Sequence, residues 1–244
     1  GSFKWLFGAV FGALYAPFVI TGLHHMTNAI DTQLANDYGG TALWPMIALS
    51  NIAQGSAVFA YYLMHRRDER EAQISLPATI SAYLGVTEPA LFGVNVKYVY
   101  PFVAGMIGSS IAGVLSLSFN VTATGIGVGG LPAILSIQAN YWLPFLLVML
   151  VAILVPMFLT FFFHKTGFLT KNEEDPELKA EFAALEEAEF AGTSKAESSP
   201  EVQAADLSAP VTITSPLAGE VKELSQATDP VFAQGLMGRG VVIV

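Results

Sequence analysis

The feature that most constrains this chain is where its charge lies. Before His164 only Lys4, Asp31, Asp37, the cluster from Arg66 to Glu71, Glu88 and Lys97 carry formal charge. Long stretches therefore offer water almost nothing, and this part of the chain belongs in a bilayer. A hydrocarbon core of about 30 Å needs roughly 20 helical residues to cross. Residues 3–22, 41–64, 99–119 and 141–163 meet that length. The third is rich in Gly and Ser, small residues that let helices approach closely in lipid. A signal peptide is a rival reading of 3–22, against which stand the absence of basic residues beyond Lys4 and of a clear small-residue cleavage site.

Two further apolar stretches are interrupted at their middles. Residues 74–96 contain Pro77, Gly85, Pro89 and Gly93; residues 121–139 contain Gly125, Gly127, Gly129, Gly130 and Pro132. Broken backbone is tolerated at membrane depth only where protein or a watery cavity satisfies its polar groups. Both stretches read as re-entrant hairpins. The positive-inside rule puts His65-Arg66-Arg67 in the cytoplasm. The span 41–64 then runs inward, 3–22 and 99–119 run outward, and 141–163 returns inward, bringing Lys165, Lys171 and the C-terminus inside.

After the last span the composition changes. Asp175-Pro176-Glu177 reads as a helix start, with Leu178, Phe182 and Leu185 at helical spacing on a short acidic helix. Residues 191–209 are rich in Ser, Ala, Glu and Pro, a flexible linker with a coil span of roughly 25 Å. From Val211 the sequence alternates like a strand, stopped by Pro216 and Gly219, and ends in Val241-Val242-Ile243-Val244. This reads as the opening of a β domain too short to bury its own core. The expected organisation is an all-α integral membrane unit over 1–170, an acidic helix and linker over 171–209, and an incomplete β-sandwich segment over 210–244. Gly1-Ser2 in place of methionine suggests a fragment with a cloning scar or an excised segment.

The net charge of −9 argues against a nucleic-acid partner. Without cysteine the chain has no disulfide framework, thiolate metal site or cysteine nucleophile. No third histidine or acid stands at metal-ligand spacing near His24 and His25, and the glycines from Gly125 to Gly130 lack the Lys-Ser/Thr of a phosphate loop, so neither metal nor cofactor is expected.

Glu88 carries the strongest chemical signal, because a carboxylate at membrane depth costs about 2.5–3.5 kcal/mol on insertion scales. It lies in Gly85-Val-Thr-Glu-Pro89, together with Thr87, where glycine and proline open the helix and aim backbone groups at a ligand. A carboxylate accepting two sugar hydroxyls is a strong orienting contact; a structural acid tied to a neighbour is the alternative. His24 and His25 are adjacent, about 100° apart on a helix, so one at most faces a given cavity and the sequence leaves open which. Asn51 with Gln54, and Asn28 with Asp31, share helix faces at a spacing of three and serve as ties between helices or as cavity lining.

Two motifs, Thr21-Gly-Leu-His-His25 and Gly85-Val-Thr-Glu-Pro-Ala-Leu-Phe-Gly93, resemble the sugar-translocating unit (enzyme IIC) of the phosphoenolpyruvate-dependent phosphotransferase system, glucose–glucoside branch. The wording from Leu14 to Met26 looks most like its trehalose and sucrose members. The tail, Ser215-Pro-Leu-Ala-Gly-Glu-Val221 followed by the run from Asp229 to Val241, is similar to the start of the glucose-type enzyme IIA phosphocarrier. The resemblance covers nearly the whole chain but only the second half of the membrane unit. It implies a bacterial cell-membrane disaccharide transporter, with trehalose ahead of sucrose, in which Glu88 and one of His24 and His25 bind the sugar. It further implies a homodimer, and phosphorylation by enzyme IIB supplied through enzyme IIA and the histidine phosphocarrier protein. The phosphorylated Cys and His of those domains are absent here, so no catalytic residue is expected in this piece. Some relatives use an arginine upstream of the histidine pair; this sequence has none before Arg66. An ion-coupled sugar carrier without phosphorylation is the alternative, against which the phosphocarrier-like tail speaks.

Overall fold

The computed structural model of the protein describes residues 3–174, 221–223 and 241–243. The chain divides into two compact units, 1–186 and 187–244. In the first, the order is α1 (Lys4–Ile20), α2 (His24–Tyr38), α3 (Leu43–His65) and α4 (Glu69–Tyr83), then an arm made of α5 (Glu88–Ala90), a π-turn (Leu91–Asn95) and α6 (Val96–Tyr98). Helix α7 (Tyr100–Ser118), two 3-10 turns (Leu131–Ser136 and Ala139–Tyr141), α8 (Trp142–Thr166) and α9 (Lys171–Glu174) follow. In the second unit, β1 (Val221–Glu223) pairs antiparallel with β2 (Val241–Ile243), Val221 opposite Ile243. The expected acidic helix around Phe182, the linker 191–209 and most of the β segment lie outside the described residues.

Among the described residues two stretches are long and apolar enough to cross a bilayer, Tyr100–Ser118 and Ala139–Thr166. Helix α8 buries one stripe, including Phe145, Val148, Ala152, Pro156 and Phe163, and exposes Leu143, Leu147, Leu150, Leu154 and Phe158. The expected span 3–22 is a helix of 17 residues. The expected span 41–64 corresponds to α3, which is buried on all sides along most of its length and carries Ser50, Asn51, Gln54 and Ser56 inside the protein.

The direction of α1 corrects the sequence reading. A Cβ at Gly8 would meet the carbonyl oxygen of Gly113 at 2.6 Å, and Gly12 faces Ser109, so α1 and α7 are antiparallel and in backbone contact. The sequence reading had both running outward. Helix α2 makes the difference: the chain turns at Gly22 (φ +76°), returns as a helix, and turns again at Gly39 (φ +70°). Helix α3 therefore starts at the end where α1 starts, and Lys4 Nζ donates to Asn120 Oδ1, just beyond the end of α7, at 2.9 Å.

The first interrupted stretch is a helical hairpin. Asp68 caps α4 by accepting from the amides of Arg70 (3.1 Å) and Glu71 (3.4 Å), with Glu69 and Glu71 favourable in the first turn. Pro77 lies inside α4 rather than ending it. The helix stops at Leu84, Gly85 adopts φ +100°, and Pro89 sits in the first turn of the returning arm. Tyr98, at the end of that arm, reaches back to Glu71 at the start of α4.

The second interrupted stretch is not helical in its first half. Ala123 bridges both Thr41 and Ile137, the Thr124 amide donates to the Ser136 carbonyl at 2.8 Å and the Gln138 amide to Thr122 at 3.0 Å. Four glycines within 125–130 cannot propagate a helix, since each costs about 1 kcal/mol relative to Ala. The chain instead makes an extended excursion and returns through a 3-10 turn started by Pro132.

Candidate functional site

The hairpin break is held from three directions. Within it, the Val86 amide donates to the Ser81 carbonyl at 3.0 Å and Ser81 Oγ donates to the Val86 carbonyl at 2.9 Å. From α3, Asn51 Nδ2 donates to the Gly85 carbonyl at 3.2 Å. From the second excursion, Gly129 lies so close that a Cβ on Gly85 would stand 2.7 Å from its Cα. The two glycine-broken segments thus meet at their tips, each filling the space where the other would need a side chain. A second tie lies deeper: Asn95 Nδ2 donates to Gln54 Oε1 at 2.6 Å, and Gln54 packs over Gly105 of α7. Both Asn51 and Gln54 therefore act as ties from α3 to the hairpin.

Glu88 opens the returning arm, its side chain 45% exposed, with His24 Nε2 at 3.9 Å from its Oε1. That separation exceeds a hydrogen bond. A hydroxyl oxygen between the two can lie within hydrogen-bond distance of both, donating to the carboxylate and engaging the imidazole. His24 is mostly buried, its Nδ1 has no hydrogen-bond partner, and its carbonyl accepts from Thr27 Oγ1 at 2.6 Å. His25 is exposed and packs against His24, ring centroids 4.0 Å apart with the planes tilted by 38°. The geometry thus separates two residues that helical phase alone could not. Thr87 is buried beside Glu88, and its carbonyl accepts from the Leu91 amide at 2.8 Å.

Helix α2, which carries the histidines, is fastened at its middle by Asp31. This fully buried carboxylate accepts from Thr41 Oγ1, which in turn accepts from the Leu43 amide at 3.1 Å, while Asp31 Oδ2 has no partner. Burial raises the Asp31 carboxyl above its usual range, partly offset by the Thr41 hydroxyl and the Trp44 amide. Among the described residues no group of three or more His, Asp and Glu side chains could hold a metal ion.

Sequence reasoning did not single out Asn95, Lys97 or Glu71 as partners of anything. Lys97 is 7% exposed in an apolar run, and such a buried cation was the signal that could have prompted a search for its counter-ion, Glu71, at 3.7 Å.

Residues 1–109 match the family model described as "Phosphotransferase system, EIIC", and residues 211–244 match "phosphoenolpyruvate-dependent sugar phosphotransferase system, EIIA 1". The chain is 55% identical over 165 residues to the "PTS system trehalose-specific EIIBC component" of Escherichia coli (strain K12), covering 68% of this chain and 35% of that protein. It is 49% identical over 157 residues to the protein of the same description from Bacillus subtilis (strain 168), covering 64% and 33%. It is also 49% identical over 137 residues to the "PTS system sucrose-specific EIIBC component" of Pasteurella multocida (strain Pm70), covering 54% and 28%. The chain spans about a third of the length of the curated relatives it matches. No solved structure matches it.

Proposed function

With a phosphotransferase-system EIIC segment at residues 1–109 as the premise, we propose that this chain is part of a membrane transporter that binds a disaccharide and moves it across the bacterial cell membrane coupled to its phosphorylation. The observation that carries the reading is the pair Glu88 and His24, 3.9 Å apart at the meeting point of two broken segments. A half-exposed carboxylate and an imidazole together suit a ring of hydroxyls. Glu88 accepts sugar hydroxyls, His24 stands by the hydroxyl to be phosphorylated, and Thr87 and His25 support them. The relatives' names favour trehalose over sucrose as the sugar.

The apolar outer face of α8 suits lipid, and Lys165 with Arg66-Arg67 puts that end of the bundle in the cytoplasm. The hairpin 69–98 then enters from the cytoplasmic side, where a phosphorylating partner must reach, and the excursion 121–139 dips from outside. On this reading the C-terminus is cytoplasmic, which the phosphocarrier match at 211–244 supports. The partners on this reading are phosphorylated enzyme IIB and enzyme IIA domains, the latter fed by the histidine phosphocarrier protein, and a second copy of the transporter. An ion-coupled carrier leaves the phosphocarrier match without a role.

In the complete transporter, Glu88→Gln should abolish phosphoenolpyruvate-dependent trehalose uptake while its level in the membrane stays that of the parent. Unchanged uptake rejects the reading.

A further inference from the structure

The base of the helical hairpin is closed by a cluster that the site itself does not use. Glu71, in the first turn of α4, accepts from Tyr61 Oη of α3 at 3.0 Å on one carboxylate oxygen. Its other oxygen accepts from Tyr98 Oη at the end of the returning arm at 2.5 Å and lies 3.7 Å from Lys97 Nζ. The rings of Tyr61 and Tyr98 stack at 4.6 Å, and Lys97 Nζ lies 5.1 Å from the Tyr98 ring centroid. His65 stacks on Tyr61 at 4.2 Å, and Asn172 Nδ2 donates to the Lys97 carbonyl at 3.2 Å. One carboxylate therefore joins the start of the rising arm, the end of the returning arm and α3.

The next residue along the chain is under strain. Val99 has φ +65°, a backbone conformation unfavourable for a β-branched side chain. Such a conformation persists only where the surroundings over-determine it. The surroundings here are the gathered Tyr98 on one side and the buried Tyr100 on the other. Strain at the joint between hairpin and α7 would be released if Tyr98 were free to shift.

We propose that Glu71 is a positioning residue for Glu88: by fixing both arms of the hairpin to α3 at their base, it sets where the tip presents Glu88 to His24. Tyr61 ties the hairpin to α3 at its base through Glu71, while Ser56 with Tyr83, Gln54 with Asn95 and Asn51 with Gly85 tie it further along. Between Glu71 and the break, α4 rises about 18 Å at 1.5 Å per residue, so a tilt of about 10° at the base moves the tip by about 3 Å. A displacement of about 1 Å at a reacting centre can cost about a hundredfold. This inference rests on the reading of Glu88 as the sugar acceptor.

The test uses the complete transporter, with trehalose as the probe, and compares Glu71→Ala, Glu71→Gln and Tyr98→Phe. Measured are KM and kcat for phosphoenolpyruvate-dependent phosphorylation, the thermal midpoint in detergent, and amide hydrogen exchange over 84–98. Glu71→Ala should raise KM about tenfold or more and speed exchange along 88–98. Glu71→Gln, whose carbonyl oxygen accepts from one tyrosine hydroxyl while its amide donates to the oxygen of the other, should recover most of the loss. A lower thermal midpoint with KM unchanged makes Glu71 a stabilising residue only and overturns the proposal. If Glu71→Ala does not accumulate, Tyr98→Phe carries the test: about a threefold rise in KM supports it and no change overturns it. Faster exchange along 88–98 alongside a Glu88→Gln variant of unaltered sugar affinity would uphold the clasp and reject the sugar-site reading instead.

Discussion

Replacing Gly85 by Ala tests whether the meeting of the two glycine-broken tips holds the site in shape. The new Cβ would stand 2.7 Å from the Cα of Gly129, at a residue with φ +100°. The backbone conformation costs an L-residue about 1–2 kcal/mol. Forcing a methyl group into a packed contact costs about 1–3 kcal/mol. The sum is at least about 2 kcal/mol, and the chain can avoid it by parting the tips. The closed arrangement would then be populated about thirtyfold less, since about 1.4 kcal/mol is a factor of ten. Two further glycines calibrate the result. A Cβ on Gly129 would meet Asn51 Nδ2 at 2.8 Å without a positive φ, so Gly129→Ala should show a smaller loss. A Cβ on Gly125 would meet nothing nearer than 4.0 Å, so Gly125→Ala should behave as the parent. Titration calorimetry of trehalose into the complete membrane unit reads the affinity, and the thermal midpoint in detergent reads the fold. Equal effects from Gly85→Ala and Gly125→Ala, or parent-like affinity in Gly85→Ala, would refute the argument.

The two histidines should separate in the same binding assay. His24→Gln should weaken trehalose binding about tenfold, the upper range for one neutral hydrogen bond, while His25→Gln changes it by less than about twofold; the reverse order would place the wrong ring at the site. Asp31 predicts a pH dependence. Its folded-state carboxyl lies above the unfolded value of 3.8, so the folded protein holds the proton more tightly, and the stability this gives is present in acid and lost as pH rises through the folded-state value. Asp31→Asn should therefore gain thermal midpoint relative to the parent as pH rises from the unfolded value of 3.8 through the folded-state value. A constant or shrinking difference would contradict the assignment.

The parts of this fold legible in the sequence were those fixed by local chemistry. Gly85 with Pro89, and the glycines from 125 to 130, announce where helix must fail, and the chain does fail there. Glu88 announces itself because an acid is costly in such a run. The direction of α1 was not legible, because Lys4 alone gives charge asymmetry nothing to weigh and the alternation of spans depends on what lies between them. Helix α2 is polar on most of its surface and shows no apolar stripe, so nothing in its composition marked its extent to Tyr38, although Gly39 is a helix-ending signal. The clasp at Glu71 joins residues 10 and 27 positions apart, and the tip contact joins Gly85 to Gly129. No periodicity reports such pairings, because they depend on how separate elements pack. The second excursion was expected to be a re-entrant hairpin. Its glycines signalled a break, but not that the chain would bridge Thr41 and Ile137 instead of forming helical arms.

The burial of α3 bears on how sequences of this kind can drift. Eighteen of its 23 residues are buried, in an unbroken run from Leu43 to Val58, so that stretch has no free face on which substitutions can accumulate. Helix α8 buries one stripe and leaves the rest to its surroundings. Over generations α8 can exchange one large apolar residue for another along its outer face, leaving a helical rhythm of variable and constant positions. Helix α3 can record no such rhythm from Leu43 to Val58, and a change there calls for a compensating change in whichever of α1, α4, α7 or α8 it touches.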